Sequence, residues 1–408
     1  MMKIQYKIFN TFLVIGLLFI LSCADDPAPT LMDLPAGGQP APIINSIEPQ
    51  DVGLAGVTVL TITGSNFAPG VDSVSVTFNG AKGTVLSVTN TQIKVRAANV
   101  VADTVQIKVA SYKSENFSNI VNYKLLTASE EYFAFDPNNG QVPYAFIFNN
   151  SGDMLVSIDN AGIKKITPQK VLSDYIPKGN AQKWDCLKFG PNFELYGSRT
   201  INAIWKLVEA IAPSSTWVSL TSGVFAKDIE FDSNNNLWVV GPANRVLRID
   251  QNKVVTTFTV TGTYKSARVF NNALYIAGNN GTTEGVWKIP ILANGDLDLA
   301  NQELYFDLWQ SYTGKIAFAM TFAADGDLII GTDRDPDPLI VVHPDKSSEV
   351  LYPGIIKAGK VIYLYWSPSS SSLFFTREVK KDAANKIIYT QSVIRVEMQK
   401  SGAPYYGN

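Results

Sequence analysis

The hydrophobic pattern of this chain predicts short strands rather than helices. Between residues 43 and 126, apolar and polar positions alternate in the runs Ile43-Ile44, Thr58-Val59-Leu60-Thr61-Ile62, Val74-Ser75-Val76-Thr77-Phe78, Ile93-Lys94-Val95 and Val105-Gln106-Ile107-Lys108-Val109. A period of two marks strands with one buried face, and the glycines and asparagines between the runs predict a small antiparallel sandwich. From residue 127 a second regularity takes over: a strand ending in an aromatic residue, a polar turn, then a second apolar strand. It occurs six times, with anchors at Phe148, Phe189, Phe231, Phe270, Phe322 and Trp366, spaced 41, 42, 39, 52 and 44 residues apart. That period suits four-stranded propeller blades. Six blades are expected, or seven if residues 127–143 belong to a blade closed by the C-terminus. One blade cannot cover both its faces alone, so the ring must close; Glu131-Tyr132-Phe133-Ala134-Phe135 is the expected closing strand, beside Ser392-Val393-Ile394-Arg395-Val396.

The N-terminus has a different pattern. Lys3 and Lys7 precede Phe9 to Leu21, which is apolar apart from Asn10, Thr11 and Gly16 and reads as a signal-peptide core too short to span a bilayer. Ile20-Leu21-Ser22-Cys23 resembles a bacterial lipobox, which implies acylation of Cys23 after cleavage. Ala24-Asp25-Asp26 resembles the surface-export signal of Bacteroidota-type lipoproteins, implying an outer-membrane, lipid-anchored protein that faces the cell exterior. Residues 24–42 hold Pro27, Pro29, Pro35, Pro40, Pro42, Gly37 and Gly38, with too little apolar content to fold, and act as a spacer.

Within the sandwich, Ile47-Glu48-Pro49, Ile62-Thr63-Gly64-Ser65-Asn66-Phe67 and Val76-Thr77-Phe78-Asn79-Gly80 resemble the motifs of the IPT/TIG immunoglobulin-like family, a module often used as a spacer or contact surface. Phe67 and Phe78 would plug the space between its sheets, and Gly64 and Gly80 would stand where a side chain would clash. The repeated segment, for instance Ile229-Glu230-Phe231-Asp232-Ser233-Asn234-Asn235-Asn236-Leu237-Trp238-Val239, is similar to the blade motif of NHL and SMP/gluconolactonase-type β-propellers. The expected fold class is therefore all-β, an Ig-like sandwich followed by a β-propeller. Residues 1–22 form the signal peptide, 23–42 the tether, 43–126 the IPT/TIG domain and 127–408 the propeller.

A formal net charge of −2 argues against nucleic acid as the main partner. Beside Cys23 there is only Cys186, so no internal disulfide forms, and Cys186 reads as core packing. The single histidine, His343, ends an apolar strand. Catalytic arrangements that need a histidine base, and zinc sites that need two imidazoles, find little support in one such residue.

If the repeated motif holds the two inner strands of each blade, the loops after the second strand share one face with the segments that open each new blade. These loops are rich in side chains that hydrogen-bond sugar hydroxyls or chelate calcium. The expected ligand-binding residues on this face are Trp184, Arg199, Asn202, Asn244, Arg245, Tyr264, Asn279, Asn280, Asp333 and Arg334. Tyr312 joins Trp184 and Tyr264 as an aromatic of a blade-opening segment. Lys183, Lys227, Lys265, Lys315 and Lys360 recur just ahead of the anchor strands, but their offsets differ in parity, so regular strands could not aim all five at the channel. Asp333-Arg334-Asp335-Pro336-Asp337 lacks the spacing of an EF-hand loop and reads as a salt-bridged turn. No catalytic residue or resident cofactor is assigned; calcium is the one ion these loops would suit. The leading expectation is a surface lipoprotein that binds a glycan or a surface protein, reaching the membrane through its lipid alone. The alternatives are a metal-dependent hydrolase or lyase working in the channel, and a protein-contact scaffold.

Overall fold

The computed structural model describes residues 38–357, 359–368 and 370–407, and the chain divides into two compact units. Cys23 and the signal peptide lie outside the described residues, as does the tether up to residue 37.

The first unit is a sandwich. One sheet runs in the order Ile43–Glu48, Val59–Ser65, Gln92–Arg96, Thr84–Val88; the other runs Val52–Leu54, Val121–Leu126, Ala102–Ser111, Val74–Phe78, Ala81–Lys82. Alternate positions Leu60 and Ile62, Ile93 and Val95, and Val105, Ile107 and Val109 are buried, as the period of two requires, and Phe67 and Phe78 join them in the core. The two glycines of the motifs differ in their reasons. A Cβ on Gly64 would stand 1.8 Å from the Ile43 carbonyl oxygen and 2.6 Å from the Phe67 ring, so close backbone approach demands glycine there. Gly80 has open space around it, and its φ of 87° is what excludes other residues.

The second unit is a six-bladed β-propeller. Among the described residues, six four-stranded antiparallel sheets follow one another, and their first strands are Pro143–Phe148, Cys186–Gly190, Asp228–Phe231, Thr263–Phe270, Ala317–Phe322 and Val361–Trp366. Each first strand packs against those of the two neighbouring blades, and Val361–Trp366 returns to Pro143–Phe148, which closes the ring. The last blade takes its fourth strand from the other end of the propeller sequence: Ser129–Glu131 pairs antiparallel with Ser392–Glu397, and the Tyr132 amide donates to the Val393 carbonyl at 2.8 Å. The closing strand thus starts two residues earlier than Glu131–Phe135, while Tyr132 and Phe133 pack on the core behind it. The long 52-residue interval reflects the connection after Glu284–Pro290 in blade four and the helical turn Leu308–Ser311.

The anchor aromatics are buried between blades, except Phe270, which is half-buried and stacks on Phe322 at 4.4 Å. Cys186 and Trp238 lie in this core, and burial pushes the Cys186 thiol up from its ordinary value. His343 is partly exposed, with Nδ1 2.9 Å from Asp327 Oδ1. Beyond Met398 the chain crosses the end of the channel at which the first strands finish. The Ala403 amide donates to the Phe322 carbonyl at 2.9 Å, Tyr405 stacks on Tyr365 at 4.3 Å, and a Cβ on Gly402 would meet the Trp366 ring at 2.3 Å.

Gly64→Ala is expected to lower the stability of the sandwich by about 2–4 kcal/mol, since the added methyl meets backbone that cannot yield. Urea unfolding of the two variants checks this, with Gly80→Ala showing a smaller loss of about 1 kcal/mol.

Candidate functional site at the mouth of the channel

Each first strand runs from one mouth of the channel towards the C-terminal plug, so its opening residue lies at the rim. Lys183, Lys227 and Lys360 precede the strands of their blades, where the period of two does not apply, and Lys265 falls at a bulge. In blades one, four, five and six the pairing of the first strand with the second is interrupted near its start, after Pro143, Tyr264, Ala317 and Val361. Such bulges insert an extra residue and re-aim the side chains around it. In blades four to six the extra residues are Lys265, Phe318 and Ile362, and they line one cavity with Asp185 and Lys227 of blades two and three.

The rim is both cationic and aromatic. Lys227 Nζ lies 3.2 Å and Lys183 Nζ 3.7 Å from Asp185 Oδ1. Burial raises the Asp185 pKa, but Lys227, the Thr200 hydroxyl and Lys183 outweigh it, so the carboxyl sits below its usual range. Lys265 pairs with Glu284 at 3.3 Å and Lys360 with Glu378 at 2.9 Å. These last two ammonium groups flank the half-buried Phe318, 5.2 and 4.7 Å from its centroid, while Lys183 caps Tyr144 at 3.9 Å. Four of the five recurring lysines therefore gather round the mouth. Lys315 is held in the turn after Leu308–Ser311, where its carbonyl accepts from the Trp309 indole at 2.9 Å.

Below the rim the space narrows to a small cavity. The cavity offers only about 10 Å³ of free volume. Lys188 lines it and belongs to a buried ionic triad: Glu230 binds Lys188 at 2.6 Å and Arg268 at 2.5 Å. Arg268 also donates to the Ala403 and Pro404 carbonyls at 3.0 and 2.8 Å, which ties the triad to the C-terminal plug. Burial works against the Lys188 charge, but the adjacent Glu230 carboxylate more than offsets it, so the ammonium is held well above the ordinary lysine value. Tyr363 and Tyr365 close the space around the triad, their hydroxyls pushed up by burial.

The residues expected to bind a ligand divide sharply. Trp184 and Tyr264, expected as exposed platforms, are 1% and 0% exposed. Trp184 packs edge-on against Trp205, and Tyr264 against Trp287 while donating to the Thr261 carbonyl at 2.7 Å; both rings seal the interior beneath the loops. Arg199 lies over the Trp205 ring at 4.6 Å and donates to the Asn180 carbonyl. Asn244, Asn279, Asn280 and Asp333 accept backbone N–H groups through their side chains, so their first task is to shape the loops. Arg334 donates to the Asp337 carbonyl at 2.8 Å. Asn202 and Arg245 are exposed. In the acidic turn, Asp335 pairs with Lys380 and Asp337 accepts from the Gly354 amide, so these carboxylates do not converge. Among the described residues no group of three or more His, Cys, Asp or Glu side chains could hold a metal ion.

Sequence reading missed Tyr144, Phe318, Lys188, Glu230 and Arg268. One signal was visible: Lys188 and Glu230 are charges inside apolar strands, each directly ahead of its anchor.

Residues 42–124 match the IPT/TIG domain. No curated protein matches the chain in sequence. Among solved structures, a candidate phosphatase from Bacteroides thetaiotaomicron shares 10% identity, with 90% of this chain and 98% of that one covered and a TM-score of 0.54. An auxiliary nutrient binding protein from the same organism shares 12%, covering 88% and 97% with a TM-score of 0.47. Virginiamycin B lyase from Staphylococcus aureus shares 13%, covering 64% and 88% with a TM-score of 0.45. At 10% identity the first likeness speaks to the fold and says nothing of chemistry.

Glu230→Gln leaves two buried cations without their carboxylate and is expected to cost about 3–5 kcal/mol. Lys265→Ala takes the cation from the buried Glu284 carboxylate, which still accepts from the Ala317 amide, and is expected to cost about 1–3 kcal/mol. Guanidinium unfolding of the two variants measures the contrast.

Proposed function

We propose that this protein is a lipoprotein of the outer membrane, anchored through Cys23 and facing the cell exterior, that binds a glycan at the mouth of its propeller. In this reading the IPT/TIG domain is the spacer, and the NHL/SMP-like propeller serves binding rather than turnover. The observation that carries it is the contrast between rim and cavity. Lys183 caps Tyr144, Lys265 and Lys360 flank Phe318, and Lys227 pairs with Asp185, all beside a cavity of only about 10 Å³. A ligand is therefore held from outside, by its side or end. Ligand carboxylates, such as those of uronic-acid residues, would compete with Glu284 and Glu378 for the lysines, while sugar C–H faces meet the rings. The exposed Asn202 and Arg245 lie on loops of the same face and suit hydroxyl groups.

One feature favours a protein contact as the second reading. The loop after the second strand of blade six carries a small hairpin, Lys380–Lys381 with Ile387–Tyr389, on which Val379, Ile387 and Ile388 are exposed.

Titration calorimetry with oligogalacturonates tests the glycan reading. Binding is expected to weaken as salt is raised and to fall at least about tenfold in the Lys265→Ala/Lys360→Ala double variant. Affinity unmoved by both changes, or cleavage of the oligosaccharide, overturns it.

A further inference from the structure

The sandwich carries its own cleft. We propose that the loops at one end of this unit form a second binding site, which takes a neutral saccharide. The cleft has a volume of about 500 Å³ and lies between the segments around Gln39, Asn66–Pro69, Asn90–Thr91 and Tyr112–Lys113. That size is in the range of small-ligand sites.

Its walls are preformed by hydrogen bonds between segments. The Phe67 amide donates to the Asn90 carbonyl at 3.2 Å, the Gly64 amide to the Thr91 carbonyl at 2.9 Å and the Gln39 amide to the Lys113 carbonyl at 2.7 Å. Asn66 Nδ2 donates to the Ala41 carbonyl at 2.8 Å. Ser111 Oγ accepts from the Ala68 amide and donates to the Asn66 carbonyl, which ties the floor together. A ligand would therefore meet loops that are already ordered, and would not bear the entropic cost of ordering them.

The chemistry of the lining selects the ligand. Tyr112 is 59% exposed at the rim, and Gln39, Asn90 and Thr91 are also exposed. Among the described residues that line the cleft there is no carboxylate and a single cation, Lys113, so neither a cationic nor a polyanionic ligand is matched. An aromatic face beside amide and hydroxyl groups suits the C–H face and the hydroxyls of an uncharged sugar ring. The same mixture of Tyr, Ser and Asn on the end loops of a sandwich is what antibody-type binding surfaces use. The site is independent of the lysine-rich mouth and gives the spacer module a grip of its own.

Saturation-transfer NMR and calorimetry on the detergent-solubilised full chain, with neutral hexasaccharides of glucose, mannose and xylose as probes, test this. At least one probe is expected to bind, with affinity lowered about tenfold or more by Tyr112→Ala and by Asn90→Ala, and held within about twofold in Lys265→Ala/Lys360→Ala. Because Tyr112 is exposed, its variant is expected to keep the parent's thermal unfolding, which separates lost binding from lost fold. Binding by none of the probes, binding indifferent to Tyr112→Ala, or loss through the lysine variant instead overturns the proposal. Loss through the lysine variant would assign saccharide binding to the mouth instead.

Discussion

The pairing of Ser129–Glu131 with Ser392–Glu397 is the constraint on which the propeller depends. Six sheets packed side by side bury their flanks only if the first and last meet, and this short strand makes the final blade from both ends of the propeller sequence. Ring closure sets six first strands round one axis, so whatever side chains they aim inward must be accommodated there. Lys188, Glu230 and Arg268 come from three consecutive blades and meet in that space. None of the three could be carried there alone, because each charge would lie in a medium that solvates it poorly.

Buried charge and the C-terminal segment occupy the plugged end of the channel. Arg268 reaches both Glu230 and the carbonyls of Ala403 and Pro404, so the triad and the C-terminal plug close the channel together. What the propeller offers instead is a rim, on which bulges present Lys265, Phe318 and Ile362 beside Asp185 and Lys227. There the ammonium groups of Lys183, Lys265 and Lys360 rest on aromatic rings and pair with Asp185, Glu284 and Glu378.

The repeating architecture was legible in the sequence because its signals are local and recur. The anchors from Phe148 to Trp366 sit at the same place in every blade, and the alternation through Val105, Ile107 and Val109 follows from strand geometry. The rim was less legible. A bulge shifts parity by one residue without changing the apolar pattern, which hides the placement of Lys265, while Lys183, Lys227 and Lys360 precede their strands, where the period of two does not hold. Trp184 and Tyr264 were misread because a large aromatic ahead of a strand can either face solvent or turn back under its loop, and the neighbours that decide, Trp205 and Trp287, are distant in sequence. The plug at Gly402–Tyr405 has no periodicity, and only the ring it closes gives it meaning.

In the reading proposed above, the propeller engages its ligand at the rim while the far end stays plugged. Hydrogen–deuterium exchange of the full chain with and without an oligogalacturonate tests this most directly. Added protection is expected in residues 183–187, 227–229, 265–267, 317–319 and 360–363, with residues 401–407 unchanged. Protection confined to 401–407, with those rim segments unaltered, would contradict it.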